Sequence, residues 1–408
     1  MRPRDVGADS LTEYRNTGTP GTRPPPRMFS MNVCMDLQAA LGQRGGIGRY
    51  VRELFRHLGA EADEGETLTG FFFDFKRKGG AAERMFGPGA NLRACRWLPG
   101  RFAQGAWKRF HAPPYNWFAG EADLYHFPNF IRPPLARSRK SVVTIHDLAF
   151  MRMPETTEKK NLAWLTAEIR RTTDNADGII TVSQFSAREI HECLGVEEER
   201  IFPVWHGLDS FPAPPSEERA SALRRGLGLE RPYLLMVGTI EPRKNLPFLV
   251  KVFEELCDFD GDLALVGGLG WKTEGILAAI ENSPRRDRIR RLGGIGDEEL
   301  AAVYAGAAAF VFPSRYEGFG FPPLEAMARG VPVVSARNSS LPEVLGDAPR
   351  WVDGFDAAEW AEAIRGVLRN PELVASMRAA GIAQAARFTW ADAARGTWAA
   401  YRKVTGGH

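Results

Sequence analysis

From Met28 onward, short apolar runs alternate with stretches of helix length, and the alternation occurs twice, once on each side of a proline-rich joint. Such text fits parallel sheets covered by helices, because each crossover between parallel strands needs a helix to bring the chain back. In the first half, strands are expected at 29–36 (FSMNVCMD), 67–73 (TLTGFFF), 123–128 (DLYHFP), 141–147 (SVVTIHD), 178–183 (GIITVS) and 201–207 (IFPVWHG). Helices at 162–176 and 186–194 separate the last three. After Gly207 the run LDSFPAPPSEERA is polar and proline-rich, the composition of a segment between domains. The alternation then restarts, with strands at 232–238, 262–268, 288–294, 308–314 and 331–336 and helices at 246–257, 273–280, 297–304 and 322–328. The expected fold class is α/β, with two Rossmann-like doubly wound domains at 28–207 and 208–388 and no repeat between them beyond this plan.

The flanks read differently. Residues 1–27 carry Gly, Thr, Arg and the run Pro24, Pro25, Pro26 without apolar periodicity, which predicts a disordered tail. At 389–404, Trp390, Ala394, Trp398 and Tyr401 recur at helical spacing and need a packing partner. With 408 residues, 44% hydrophobic and 25% charged, the chain can fill two cores. A net charge of +3 and a pI near 8.7 give no concentrated stripe for nucleic acid, but suit anionic ligands. Cys34, Cys95, Cys193 and Cys257 lie far apart, which argues against a disulfide framework or a zinc site. No apolar run reaches membrane-spanning length and no signal-like segment opens the chain, so a cytoplasmic, soluble or peripheral protein is expected.

The clearest chemical signal is EGFGFPPLE, from Glu317 to Glu325, which follows a buried strand and opens a helix. Gly318 and Gly320, flanking Phe319, let a ligand approach the backbone, and the helix start turns unpaired N–H groups toward an anion or a hydroxyl-rich ligand. The two carboxylates can reach different hydroxyls of one ligand. A glycine-rich turn with a capping glutamate is the purely structural alternative. Arg243 and Lys244, in GTIEPRKN (238–245), again follow a strand and can neutralise a diphosphate, Arg by a bidentate fork and Lys as a point charge. A solvated charge pair is the bland alternative. Gly46, Ile47 and Gly48 belong to a glycine loop, GGIGRY (45–50), after the first strand. It lacks the G-x-G-x-x-G spacing, and no acid ends a second strand, which argues against a nicotinamide dehydrogenase. Finally, His146 beside Asp147 ends SVVTIHD, where an imidazole either serves the structure or hydrogen-bonds a reacting sugar.

Taken in order, GGIGRY, TIHD, TVSQFS, the His206-Gly207 pair, EPRKN and the E-x7-E of Glu317 and Glu325 resemble the retaining glycosyltransferases of family 4, over essentially residues 28–404. The resemblance implies the GT-B fold: an acceptor-binding first domain, a nucleotide-sugar-binding second domain, and a last helix (389–408) that crosses back to the first. It implies that Arg243 and Lys244 hold the donor diphosphate, helped by Gly46, Ile47 and Gly48. Glu317 and the backbone of Gly318, Phe319 and Gly320 would then hold sugar hydroxyls, Glu325 the ribose, and His146 the sugar near its reacting carbon. Such an enzyme needs no metal and no cofactor, because two cations and a helix start stabilise the departing diphosphate.

The opening MNVCMDLQAALGQRGGIGRY and the TIHDLAF stretch are similar to bacterial mannosyltransferases of polysaccharide assembly, lipopolysaccharide included. That likeness implies GDP-mannose as donor and a saccharide or polyprenyl-linked glycan as acceptor. The aromatic and basic residues of 97–118 either pack into the core or lie on the inner face of the plasma membrane as a peripheral contact. The alternatives are a UDP- or ADP-sugar donor, a sugar-nucleotide epimerase, a phosphorylase-like enzyme and a non-catalytic sugar-binding protein. An epimerase needs its own acid and base and a phosphorylase a lysine for pyridoxal phosphate, neither clearly displayed. The intact His146, Arg243, Lys244, Glu317 and Glu325 count against a non-catalytic protein.

Overall fold

The structure is a computed structural model that describes residues 30–406 apart from 44, 77–79 and 137–138. The tail expected at 1–27 lies outside the described residues. One parallel sheet holds β1 (Met31–Asp36), β2 (Glu66–Phe73), β3 (Leu92–Cys95), β4 (Leu124–Phe127), β5 (Lys140–Ile145), β6 (Gly178–Thr181) and β7 (Ile201–Pro203), in the order β3-β2-β1-β4-β5-β6-β7. A second holds β8 (Tyr233–Val237), β9 (Asp262–Val266), β10 (Ile289–Gly293), β11 (Ala309–Phe312), β12 (Val333–Ala336) and β13 (Arg350–Val352), in the order β10-β9-β8-β11-β12-β13. The strand order reverses between β1 and β4 and again between β8 and β11. In such sheets ligands bind beyond the carboxyl ends of the strands at the reversal. The glycine motif follows β1, His146 follows β5, Arg243 and Lys244 follow β8, and Glu317 follows β11.

The strands YLLMV, DLALV, AFVF and VVSA are buried along their whole length, as a sheet covered on both faces requires. Such runs are the easiest to recognise. The short strands LRAC and RWV were not anticipated, having too few residues to show a period. The helices Ala357–Arg369 and Pro371–Ala385 were also missed. Several expected strands are shorter: β5 stops at Ile145, where its neighbour β6 also ends its pairing, so His146 and Asp147 lie in the following loop.

Gly46, Ile47 and Gly48 are not a loop. A short helix, Gln38–Gly42, follows β1, and Gly46–Ala60 is a helix with Gly45 at its N-cap. Tyr50, Val51, Leu54, Phe55 and Leu58 form its buried face, and packing of that face outweighs the poor helix propensity of the glycines.

The last helix, Trp390–Thr405, does return to the first domain. Trp398 Nε1 donates to the Leu58 carbonyl at 3.0 Å, and Arg402 reaches the Glu66 carboxylate at 2.8 Å. The Tyr401 hydroxyl lies 2.6 Å from His126 Nδ1, His126 Nε2 lies 2.8 Å from Thr144 Oγ1, and Thr144 bonds the Tyr50 hydroxyl at 2.9 Å. This buried chain ties the last helix through β4 and β5 to the glycine helix.

Burial, reinforced by nearby His146, pulls the His126 pKa down from 6.5 to about 3. The folded state therefore binds this proton less readily than the unfolded chain. Stability from the neutral imidazole is complete above about pH 6.5 and is lost as pH falls toward 3. Buried His146 and His206 shift in the same direction. The melting temperature is expected to fall on acidification through this window, and to fall less steeply in His126→Gln. Thermal melts across the window check it; equal slopes in parent and variant would contradict it.

Candidate active site

Pro242–Lys244 forms one tight turn after β8, which swings Arg243 and Lys244 toward the end of β11. Lys244 Nζ lies 2.6 Å from Glu317 Oε1, and Arg243 Nη1 lies 2.8 Å from Glu317 Oε2. Arg243 also pairs with Glu241 at 2.7 Å and donates to the Tyr316 carbonyl at 2.6 Å. Ser314 Oγ donates to Glu317 at 2.5 Å. All three motif side chains are largely buried. Burial would raise the Glu317 carboxyl, but Arg243 and Lys244 outweigh it and hold the pKa at about 2. Glu317 and Glu241 hold Arg243 charged against the same desolvation.

His146 is buried, with Nε2 3.1 Å from the Pro128 carbonyl and its ring edge-on to Tyr50 at 4.9 Å. Burial lowers its pKa, so it is neutral near pH 7. A carbonyl can only accept, so Nε2 carries the proton and Nδ1 is the acceptor nitrogen.

Gly318 brings the second domain against the first. A Cβ at this position would lie 2.2 Å from the His146 carbonyl oxygen. The Gly318 carbonyl accepts from Ser183 Oγ at 2.8 Å. The N–H groups of Gly318, Phe319 and Gly320 donate to no acceptor among the described residues. The next helix, Phe321–Ala328, begins so that Glu325 falls in its second turn, with prolines occupying the opening turn. One Glu325 oxygen pairs with Arg49 of the glycine helix, and the other accepts from the Tyr304 hydroxyl at 2.8 Å. Glu343 accepts from the N–H groups of Gln184 and Phe185 at 2.8 and 2.9 Å, capping a helix of the other domain.

One cleft thus gathers the expected residues. Arg243, Lys244 and Glu317 touch, Gly318 meets His146, and a Cβ built on Gly46 would lie 3.8 Å from the Phe321 ring. Gly48 is different: a Cβ there would lie 1.9 Å from the Gln43 carbonyl oxygen, so its smallness serves packing. Arg49 and Glu241 stood inside the quoted motifs but passed unremarked. Tyr304, Ser314 and Glu343 carried no sequence signal, because only folding brings them to the cleft. The 97–118 segment divides: Ala103 is buried and Trp107 faces inward, whereas Trp97, Phe102, Phe110 and Trp117 are 69%, 58%, 69% and 72% exposed.

The family described as Glycosyl transferases group 1 matches residues 221–384, and Glycosyltransferase Family 4 matches 44–210. The chain is 33% identical to O-antigen chain mannosyltransferase B of Escherichia coli over 370 residues, 88% of this chain and 96% of that protein. Sucrose-phosphate synthase from Thermosynechococcus elongatus shares the fold with a TM-score of 0.69 at 21% identity, covering 92% of this chain and 99% of that one. Anabaena HepE in complex with UDP-glucose does so at 0.65 and 18% identity, covering 92% and 100%. The chain belongs to the family 4 glycosyltransferases of the GT-B fold. Among the described residues, no helix is long and apolar enough to cross a membrane.

The two glycines differ in what a side chain would meet. Gly46→Ala is expected to be neutral or mildly stabilising, by up to about 1 kcal/mol, because the helix gains a better former and the added Cβ meets only the Phe321 ring, at an ordinary contact distance of 3.8 Å. Gly48→Ala must displace the Gln43 turn and should lower the melting temperature by several degrees. Melting both variants checks this; equal effects would remove the distinction.

Proposed function

We propose that the protein is a retaining, metal-independent mannosyltransferase that moves mannose from GDP-mannose to a saccharide or polyprenyl-linked glycan in surface polysaccharide assembly. Residues 208–388 bind the donor, 28–207 the acceptor. The observation that carries this reading is the joint placement of Arg243, Lys244 and Glu317 with the free N–H groups of Gly318 to Gly320, at the β8/β11 reversal and against His146. The likeness to an O-antigen mannosyltransferase supports the sugar, and HepE with UDP-glucose supports a nucleotide-sugar donor in this fold.

As the anomeric carbon–oxygen bond breaks, negative charge grows on the diphosphate. Arg243, Lys244 and the N–H groups before Phe321–Ala328 are fixed in advance to stabilise it. The acceptor oxygen attacks from the face the diphosphate leaves, and a diphosphate oxygen takes its proton, so no protein base is needed. His146 Nδ1 accepts from a sugar hydroxyl. Glu317 accepts from others, and Glu325 exchanges Arg49 for the ribose hydroxyls. The tight interdomain contact excludes water from the donor. The exposed Trp97, Phe102, Phe110 and Trp117, with Arg101, Lys108 and Arg109, support peripheral contact with a membrane that carries the acceptor, at the cytoplasmic face.

Lys244→Ala and Arg243→Ala are expected to abolish transfer and weaken nucleotide diphosphate binding. Each also leaves buried Glu317 with one cation fewer, so stability should fall by about 3 kcal/mol and binding must be measured on folded protein. Calorimetry with GDP, UDP and ADP, in excess EDTA, tests donor and metal together. Tighter binding of UDP, or loss of activity on chelation, would overturn the corresponding part.

Glu317→Gln and His146→Ala should lower kcat by about 10²-fold, or about 3 kcal/mol, with little change in affinity for the free nucleotide diphosphate. Glu325→Gln should instead raise the donor KM more than it lowers kcat. Steady-state kinetics on the three variants would reveal a reversed pattern, which would break the assignment of roles.

A further inference from the structure

Arg49 reaches from the first domain into the donor half of the cleft. It stands on the Gly46–Ala60 helix and pairs with Glu325 on the Phe321–Ala328 helix of the second domain. Its guanidinium lies 5.1 Å from the centre of the Phe211 ring and 5.6 Å from that of Phe321, so two aromatic rings flank it. Phe211 belongs to the joint between the domains and is held from the second: Arg329 lies 4.7 Å from the same ring and donates to the Phe211 carbonyl at 2.9 Å. The walls of this slot are thus fixed.

Two carboxylates of the second domain act on Arg49. Glu325 is 2% exposed, and its other oxygen accepts from the Tyr304 hydroxyl at 2.8 Å. Asp297 opens the Asp297–Ala305 helix that also carries Tyr304, at i+7, so the two lie on one face, about 10 Å apart along the axis. Asp297 is exposed, and its charge acts on both Arg49 and Arg52. Arg52 is engaged elsewhere, donating to the Ala40 and Gln43 carbonyls at 3.3 Å. Arg49 therefore has one buried acidic partner, which a ribose would claim, and one exposed partner, which it would not.

We propose that Arg49 is a donor-displaced switch: in the donor-free protein it occupies the Glu325 oxygen that the ribose hydroxyls need, and on donor binding it moves to Asp297. The inference rests on the glycosyltransferase reading and concerns the control of its donor site. Arg49 neutralises the buried Glu325 until ribose hydroxyls replace it, so that carboxylate is not left without a partner in either state. The domains also stay bridged in both states, since both carboxylates belong to the second and Arg49 to the first. A nucleotide must displace an ion pair before its ribose is read, which penalises any ligand whose sugar cannot replace the lost bond.

Arg49→Gln removes the competitor, and Asp297→Asn removes the place to which it moves. Affinities for GDP, UDP and their dideoxyribose forms are measured by calorimetry on the parent, both variants and the double variant, after thermal melts establish that each is folded. Arg49→Gln is expected to bind the nucleotide that the parent prefers at least threefold more tightly, and to leave affinity for its dideoxyribose form within twofold. Asp297→Asn should bind that nucleotide at least threefold more weakly, and the loss should vanish in the double variant. Should Arg49→Gln fail to fold, Arg49→Lys, which keeps the charge but not the planar fork, replaces it with the same expected direction. Weaker nucleotide binding on loss of Arg49 would make it a ligand of the phosphates and overturn the switch. A loss in Asp297→Asn that survives in the double variant would overturn it too, since Asp297 would then touch the nucleotide itself. If Arg243→Ala weakens nucleotide binding while Arg49→Gln changes nothing, the donor reading stands and the switch fails; a parent that binds neither nucleotide would sink both.

Discussion

Glu317 is a buried carboxylate that stays charged because Arg243 and Lys244 flank it at 2.8 and 2.6 Å. Desolvation alone would favour its neutral form, and the two cations reverse that preference. The ends of β8 and β11 are therefore held together by charge as well as by sheet pairing. Removing either cation would strand part of a buried charge, which is costly, so the loops keep one geometry. Among the described residues, the N–H groups of Gly318, Phe319 and Gly320 that follow have no acceptor.

The second domain alone would be an incomplete site. His146, Ser183 and the glycine helix belong to the first, and they meet the second where Gly318 has no side chain to hold them apart. Arg49 with Glu325, and Glu343 with the start of Gln184–Leu194, reinforce that meeting. The last helix acts on the same problem from behind: after the second domain is complete, it returns to the first and buries Trp390, Trp398 and Tyr401. Its bond to His126 continues to Tyr50, whose ring touches His146. A helix remote in sequence thus helps orient the imidazole in the cleft.

Much of the architecture was legible beforehand. The buried strands of the second sheet read plainly because they are apolar apart from Asp262 and Ser335, whereas LRAC and RWV did not, since three or four residues cannot establish a period. The glycine motif misled in a specific way. Three glycines in four positions read as a loop, but the apolar face beginning at Tyr50 extends the helix back through them. The candidate residues Arg243, Lys244 and Glu317 were legible because each stands within a few residues after the end of β8 or β11, and Glu325 because it sits in the helix that follows β11. Their partners were not: Ser314, Tyr304 and Glu343 carry no local signature.

Sequence alone determined the two doubly wound halves, the joint between them, and the residue types able to meet a diphosphate and a sugar, because these depend on local period and on short motifs. Tertiary structure alone decided which charges neutralise one another, and that Gly48 serves packing while Gly318 serves the meeting of domains. Those outcomes depend on distances between segments up to some hundreds of residues apart, as with Arg49 and Glu325. No window along the chain contains both members of such a pair, so the physical information arises only when the chain closes on itself.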